Sequence, residues 1–209
     1  MEKPIEVKKK RKEIVVNVDD GEWKPMGKSE KRRVYYHNDI NAQLLPCFSS
    51  VKRQKDGETL TVGDDVMVKT EDENGEVMMG VARISALYIP TKSKYLQAAI
   101  LWYYTPSQCE SMGGCVDYHP MEVFPSRHMD STPLTAIEGK ATVMRYKEWC
   151  RLHALRARSS THPFSIFEGD KEFEGVDEKK AFFTRFHYDL RKRTVVVKRR
   201  NPNSVKIVV

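Results

Sequence analysis

Alternating apolar and polar positions in the middle of the chain predict a pair of β-strands. The apolar positions of the first segment share one parity, and they are Leu60, Val62, Val66 and Val68. This two-residue period is typical of a strand with one buried face. Asn74-Gly75 follows and indicates a tight turn, because glycine adopts positive φ without steric cost. The chain then returns through a second apolar segment, which carries Val81, Ala82, Ile84, Ala86 and Tyr88 and stops at Pro90.

A third strand is predicted from Leu96 to Tyr104, where Pro106 then interrupts the pattern. Successive side chains of a strand point to opposite faces. One predicted face therefore carries Leu96, Ala98, Ile100, Trp102 and Tyr104, and the other carries Tyr95, Gln97, Ala99, Leu101 and Tyr103.

The periodicity changes near residue 145, where a helix over 145–157 is predicted. Tyr146, Trp149, Cys150 and His153 recur at helical spacing, so we expect packing through Tyr146, Trp149 and Cys150. Residues 158–180 have a loop-like composition. Alternation resumes further along, at Phe182, Thr184, Phe186 and Tyr188, and a basic turn then leads into a β-branched run. These patterns predict a mainly β fold, a small twisted barrel or curled sheet, with one clear helix.

Charge indicates the chemistry of the partner. Lys and Arg number 36 against 29 Asp and Glu, a formal net charge of +7, which favours an acidic partner such as nucleic acid. Lys8, Lys9, Lys10, Arg11 and Lys12 form an unbroken basic run, and Lys31-Arg32-Arg33 forms a second cluster. Such a run indicates a nucleic-acid arm or a nuclear-import signal, and a merely solvated tail is the alternative.

The spacing of the cysteines and the lack of catalytic motifs in the sequence favour a binding function over catalysis. The four cysteines contain no CxxC pair, so we predict no metal site, no disulfide framework and no cofactor. The sequence lacks the GxSxG, P-loop and HExxH motifs, and we expect no enzymatic activity. No apolar run reaches the length of a membrane span, and no membrane partner is expected.

Trp102 and Tyr104 are the candidate binding residues. They lie two positions apart on one predicted strand face, so their rings project about 7 Å apart. Two aromatic faces at this spacing can attract a quaternary ammonium group through cation–π interactions. Pattern alone favours the alternative, in which both rings fill the core.

Four segments resemble the BAH (bromo-adjacent homology) domain. They are TVGDDVMVKTE, GVARISALYIP, AILWYYTPSQ and MEVFPSRHMDSTPLTAIEGKATVM, in that order. Flanking segments GEWKPMG, CFSSVKR and FFTRFHYDLRKR are similar to those of metazoan heterochromatin and Polycomb-linked silencing proteins. The resemblance implies a small twisted barrel-like BAH core with peripheral strands. The expected division is a basic disordered arm (1–19), an N-terminal extension packed on the core (20–58), the BAH core (59–157), a loop (158–180) and a C-terminal hairpin extension (181–209).

The resemblance also implies a function and a site. Relatives bind the histone H3 tail trimethylated at lysine 27 through an aromatic cage, in which Trp102 and Tyr104 match two walls. The third aromatic position is Gly80 here, which implies an open cage that Gly80→Tyr would strengthen. Residues matching the segments along the bound tail are Glu122, His128 and Asp130.

The expected function is therefore a nuclear chromatin-binding module linked to gene silencing, with the H3 tail or nucleosome as its partner. Contacts to DNA through the basic segments and to other chromatin proteins are also expected. The alternative is a BAH protein-interaction or nucleosome-binding module without methyl-lysine readout.

Overall fold

The computed structural model describes residues 22–35, 42–71, 75–91, 93, 95–109, 118–161, 173–189 and 191–196. The strands in these ranges are β1 Trp23–Met26, β2 Glu30–Val34, β3 Gln43–Phe48, β4 Ser50–Arg53, β5 Thr59–Thr61, β6 Asp65–Glu71, β7 Val77–Tyr88, β8 Gln97–Tyr104, β9 Phe124–Pro133, β10 Ile137–Arg145, β11 Ala181–Thr184, β12 His187–Asp189 and β13 Thr194–Val196. A single α-helix in the same ranges, α1, spans Tyr146–Thr161. The prediction of a mainly β fold with one clear helix is confirmed. No α-helix among the described residues is long and apolar enough to span a bilayer.

An eight-stranded sheet forms the centre of the fold. Its order is β11-β10-β6-β7-β3-β2, and β8 pairs with β7 and with β9. The described strands of this sheet leave ends at β11, β2 and β9, so they form an open sheet rather than a closed barrel. The strand pairs are antiparallel, except that β10 and β11 are parallel. A three-stranded sheet, β1-β4-β5, and the β12–β13 hairpin complete the described strands.

The main core is shared by the eight-stranded sheet and the three-stranded sheet. Its buried side chains include Trp23, Val51 and Leu60 from the small sheet, and Val66, Ile84, Ile100 and Ile137 from the large one. Arg53 reinforces this junction: its guanidinium donates to the carbonyl oxygen of Glu138 at 2.9 Å and lies 5.1 Å from the centre of the Trp23 ring. The N-terminal strands are therefore tied directly to β10.

The predicted first hairpin is confirmed, with one difference at its start. β6 and β7 pair antiparallel from Asp65↔Arg83 to Glu71↔Val77, and Gly75 in the turn has φ 80°. Val62 was expected on the buried face, but it is 40% exposed. The cause is a turn between β5 and β6, in which the Asp64 amide donates to the Thr61 carbonyl oxygen; the alternation is interrupted at Val62 and resumes in the same parity at Val66.

The predicted helix is present; its predicted packing through Trp149 is confirmed, that through Tyr146 is only peripheral, and that through Cys150 was wrong. Tyr146 is 44% exposed and Cys150 is exposed, whereas Leu152 is only 1% exposed and packs with Phe183. Trp149 is half-buried beside this cluster. The inward stripe therefore runs through Trp149 and Leu152. The rings of Tyr146 and His153 pack against Trp149 near the surface.

The C-terminal strands also differ from the predicted alternation. Ala181 and Phe183 are buried in β11, while Phe182 and Thr184 are half-buried. A bend separates β11 from β12, and the Thr184 hydroxyl donates to the Phe186 carbonyl oxygen there. The parity therefore changes before Tyr188, which is buried again.

The corrected helix face predicts the stability of two variants. Leu152→Ala should lower the free energy of unfolding by about 2–5 kcal/mol, since it leaves a cavity in a closed cluster. Cys150→Ala, two residues away on the opposite, exposed side of the helix, should change it by less than about 0.5 kcal/mol. Chemical denaturation of both variants measures these effects, and equal losses would contradict the assigned face.

Candidate functional site

A bulge in β9 assembles the candidate site. β8 and β9 pair at Leu101↔Met129 and next at Tyr103↔Pro125, so two steps along β8 match four steps along β9. The Ser126 hydroxyl donates to the Trp102 carbonyl oxygen at 2.8 Å and accepts from the His128 amide at 3.0 Å. Bulges of this kind redirect side chains. Here the bulge places the residues after Ser126 beside the end of β8.

The Trp102 indole is held at both ends. Its Nε1 donates to Asp130 Oδ2 at 3.4 Å, and at the other end Cζ3 points at Gly80. A Cβ built on Gly80 would lie 2.6 Å from Cζ3 and 3.4 Å from each neighbouring ring carbon. Because both neighbouring carbons lie much farther from this Cβ than Cζ3 does, an edge of the ring, not a face, meets the glycine. The ring is half-buried and packs against the main core.

Gly80 therefore has a different role from the one expected. The resemblance treated it as an absent aromatic wall, but the space beside it is taken by the edge of Trp102. Even a methyl group at this position requires Trp102 to move. The geometry removes the basis for expecting that Gly80→Tyr would strengthen a cage built on Trp102.

Tyr104 is fixed by partners on two strands. Its hydroxyl shares a 2.9 Å hydrogen bond with His128 Nδ1, and its ring lies 4.8 Å from the Tyr188 ring at 30°. Burial, and then the nearby Tyr188 and Cys109, raise the pKa of Tyr104 above its usual value. The phenol is therefore neutral at physiological pH and keeps its proton for hydrogen bonding.

Four predicted site residues lie together. Trp102 contacts Asp130, Tyr104 contacts His128, and all four side chains are half-buried at the rim of the core. The Asp130 carboxylate also accepts from the Ser131 amide at 2.7 Å. Aromatic rings with a nearby carboxylate favour a cationic ligand over an anionic one. The basic run of residues 8–12 lies outside the described residues.

Glu122 does not share this surface. It is 0% exposed, and Arg185 donates to both carboxylate oxygens, from Nε at 2.7 Å and from Nη2. The Arg185 guanidinium lies 5.4 Å from the ring centres of both Tyr146 and Phe186. The sequence placed Glu122 along a bound tail, whereas the structure places it in a buried ion pair that fastens the C-terminal strands to the start of β9.

Two residues that support the site could not be recognised from the sequence pattern. Ser126 closes the bulge and Tyr188 backs Tyr104, although 84 residues separate the two tyrosines. The alternation that marked Tyr188 as a strand residue could not show which strand it meets. No group of three or more His, Cys, Asp or Glu side chains within the described ranges is arranged to hold a metal ion.

The fold and the site define a class of protein: a mainly β domain with a half-buried aromatic and carboxylate cluster at the end of a central strand. Comparison with known families is more specific. The sequence model of the BAH domain matches residues 58–198, about two thirds of the chain, and the chain belongs to this family.

Two individual proteins are similar to parts of this chain. Chromatin remodeling protein SHL of Arabidopsis thaliana is 30% identical over 107 residues, which are 51% of this chain and 45% of SHL. The chain thus spans less than half the length of this curated relative. The crystal structure of the yeast Rsc2 BAH domain is similar to 74% of this chain and 55% of that one, with 17% identity and a TM-score of 0.48.

The contact between Gly80 and Trp102 predicts that the effect of Gly80→Ala on the free energy of unfolding depends on whether Trp102 is present. In the wild-type chain, Gly80→Ala should lower the free energy of unfolding by about 1–3 kcal/mol, because the added methyl group displaces the ring. In a Trp102→Ala background, the same change should be neutral or stabilising by about 0.5–1 kcal/mol, because alanine suits a strand better than glycine does.

A double-mutant cycle by chemical denaturation measures this coupling. Equal effects of Gly80→Ala in the two backgrounds would show that the residues do not interact.

Proposed function

We propose that this protein is a nuclear chromatin-binding module that reads a methylated histone H3 tail, of the trimethylated lysine 27 type, in gene silencing. Membership of the BAH family supports the chromatin assignment, as does the similarity to a relative named as a chromatin remodeling protein. The observation that carries the finer proposal is the two-ended anchoring of Trp102 beside Tyr104.

The anchoring matters because cation–π attraction acts through ring faces. Asp130 holds one end of the indole, and Gly80 receives the opposite edge. The ring cannot turn freely, so the ligand does not have to order it on binding. A trimethylammonium group is attracted to such faces, whereas an unmethylated ammonium is more strongly hydrated and carries donors that need partners.

His128 and Asp130 provide polar contacts beside the rings. The His128 Nδ1 atom is engaged by Tyr104, and the Asp130 carboxylate faces the indole N–H. Both side chains keep part of their surface exposed. In the proposed complex they lie along the basic H3 tail, where a carboxylate favours cationic side chains. Glu122 is left out of this groove, because its oxygens are buried.

The proposal predicts a loss of methyl-dependent affinity in Trp102→Ala. The variant should bind the lysine-27-trimethylated H3 peptide about tenfold more weakly than the wild type, a difference of about 1.4 kcal/mol. Tyr95→Ala is the matched control, since Tyr95 is 62% exposed and lies outside the site. Calorimetry with trimethylated and unmodified peptides measures the affinities, and thermal melts check folding.

The unmodified peptide separates the two readings of the family resemblance. If wild-type protein binds both peptides equally, or if Trp102→Ala retains full preference for the trimethylated one, the aromatic pair is core packing. The chain would then be a BAH interaction module without methyl-lysine readout.

Salt-sensitive DNA binding through the basic segments remains a second proposal. In β2, Lys31 and Arg33 are exposed, whereas Arg32 pairs with Glu30 at 2.8 Å. The other basic segment is the run at residues 8–12. Removing residues 1–13 takes away its positive charges, so it should weaken binding to labelled duplexes and reduce the salt dependence of binding. Equal binding by the truncated and full chains at every salt concentration would make nuclear import the better explanation of the arm.

A further inference from the structure

The β12–β13 hairpin presents a compact basic tip. Its strands pair up to Asp189↔Thr194, and Arg191, Lys192 and Arg193 in the connecting loop are exposed. Asp189 Oδ1 accepts from the amides of Arg191 and Lys192 at 3.0 and 3.3 Å. The only carboxylate at the base of the described turn is therefore directed at backbone amides, and the turn has a defined shape.

Arg193 occupies a backbone position that does not suit it. Its φ is 49°, and within the described ranges it is the single non-glycine residue with positive φ. Glycine or asparagine is favoured at such a position, because other side chains are strained there. A non-glycine residue at this position therefore gives the turn a strained backbone.

The tip is attached close to the candidate site. The Tyr188 ring contacts the Tyr104 ring, and Arg191 is only three residues further along the chain. Three residues span at most about 11 Å. A ligand in the candidate site and a partner at the tip would therefore be neighbours.

The surface of the hairpin indicates the kind of partner. None of its described residues is among the large hydrophobic side chains that are strongly exposed, and Val195 and Val196 are half-buried. Protein interfaces usually have an apolar centre, whereas the exposed side chains of the described tip residues are those of Arg191, Lys192 and Arg193. Phosphate groups, by contrast, are bound by Arg and Lys without apolar contacts.

We propose that the β12–β13 hairpin binds the phosphate backbone of duplex DNA next to the candidate site, without sequence preference. The arrangement would let one domain contact a histone tail and the adjacent DNA together. The proposal is independent of methyl-lysine readout, because naked DNA tests it, and it assigns a surface separate from the N-terminal basic segments.

The test compares two full-length variants with equal loss of charge. Arg191→Gln/Lys192→Gln/Arg193→Gln neutralises the tip. The control, Lys24→Gln/Lys52→Gln/Lys55→Gln, neutralises three exposed lysines in β1, in β4 and in the turn after β4. Fluorescence anisotropy with a labelled duplex is measured at several salt concentrations. The tip variant should lose about tenfold in affinity near 0.1 M salt and reduce the salt slope by about 2–3, whereas the control should stay near wild type.

Arg193→Gly separates binding from folding. It removes one charge and relieves the positive-φ strain, so the thermal midpoint should be unchanged or higher while DNA affinity falls and the salt slope decreases by about 1. The proposal is overturned if the tip variant has the affinity and slope of the control. It is also overturned if Arg193→Gly binds DNA as tightly as wild type.

Discussion

The pairing of β7 on both of its edges is the constraint on which the candidate site depends. Ala82 faces Val66 of β6 on one edge and Trp102 of β8 on the other, and the far end of β7 also pairs with β3. A shift of one residue would turn every side chain of β7 to the opposite face. Gly80 lies next to the edge of Trp102 only in this register, so the register of the core sheet also sets the geometry of the site.

The elements of the central sheet could be predicted because their pattern is local. One buried face and a glycine turn are enough to indicate β6 and β7, and the predicted neighbours do pair. The bulge in β9 could not be predicted in this way, because it exists only relative to β8. The same limit explains Tyr188, whose partner Tyr104 lies in a distant strand. Alternation shows which side of a strand is buried, not which strand covers it.

Buried charges are the other feature that the sequence pattern hides. Arg53 and Arg185 resemble ordinary surface residues in the sequence, but each joins an outer segment to the core. The hydrogen bond from Arg53 lowers the pKa of Asp56 to about 2. A carboxyl group whose pKa is lowered by folding stabilises the folded state at pH values above its ordinary pKa. This contribution is lost as the pH falls towards 2.

The relation between family resemblance and structure is clearest at Trp102. The resemblance supplied the residue types and their order, but it could not supply the side-chain orientation, which depends on Gly80 and Asp130. Trp102 also packs against the main core, so the ring contributes to folding and to the candidate site. Any substitution at this position changes both, and affinity can be interpreted only beside stability. Asp130 offers a cleaner separation, because it holds the indole from the rim and is not part of the apolar core.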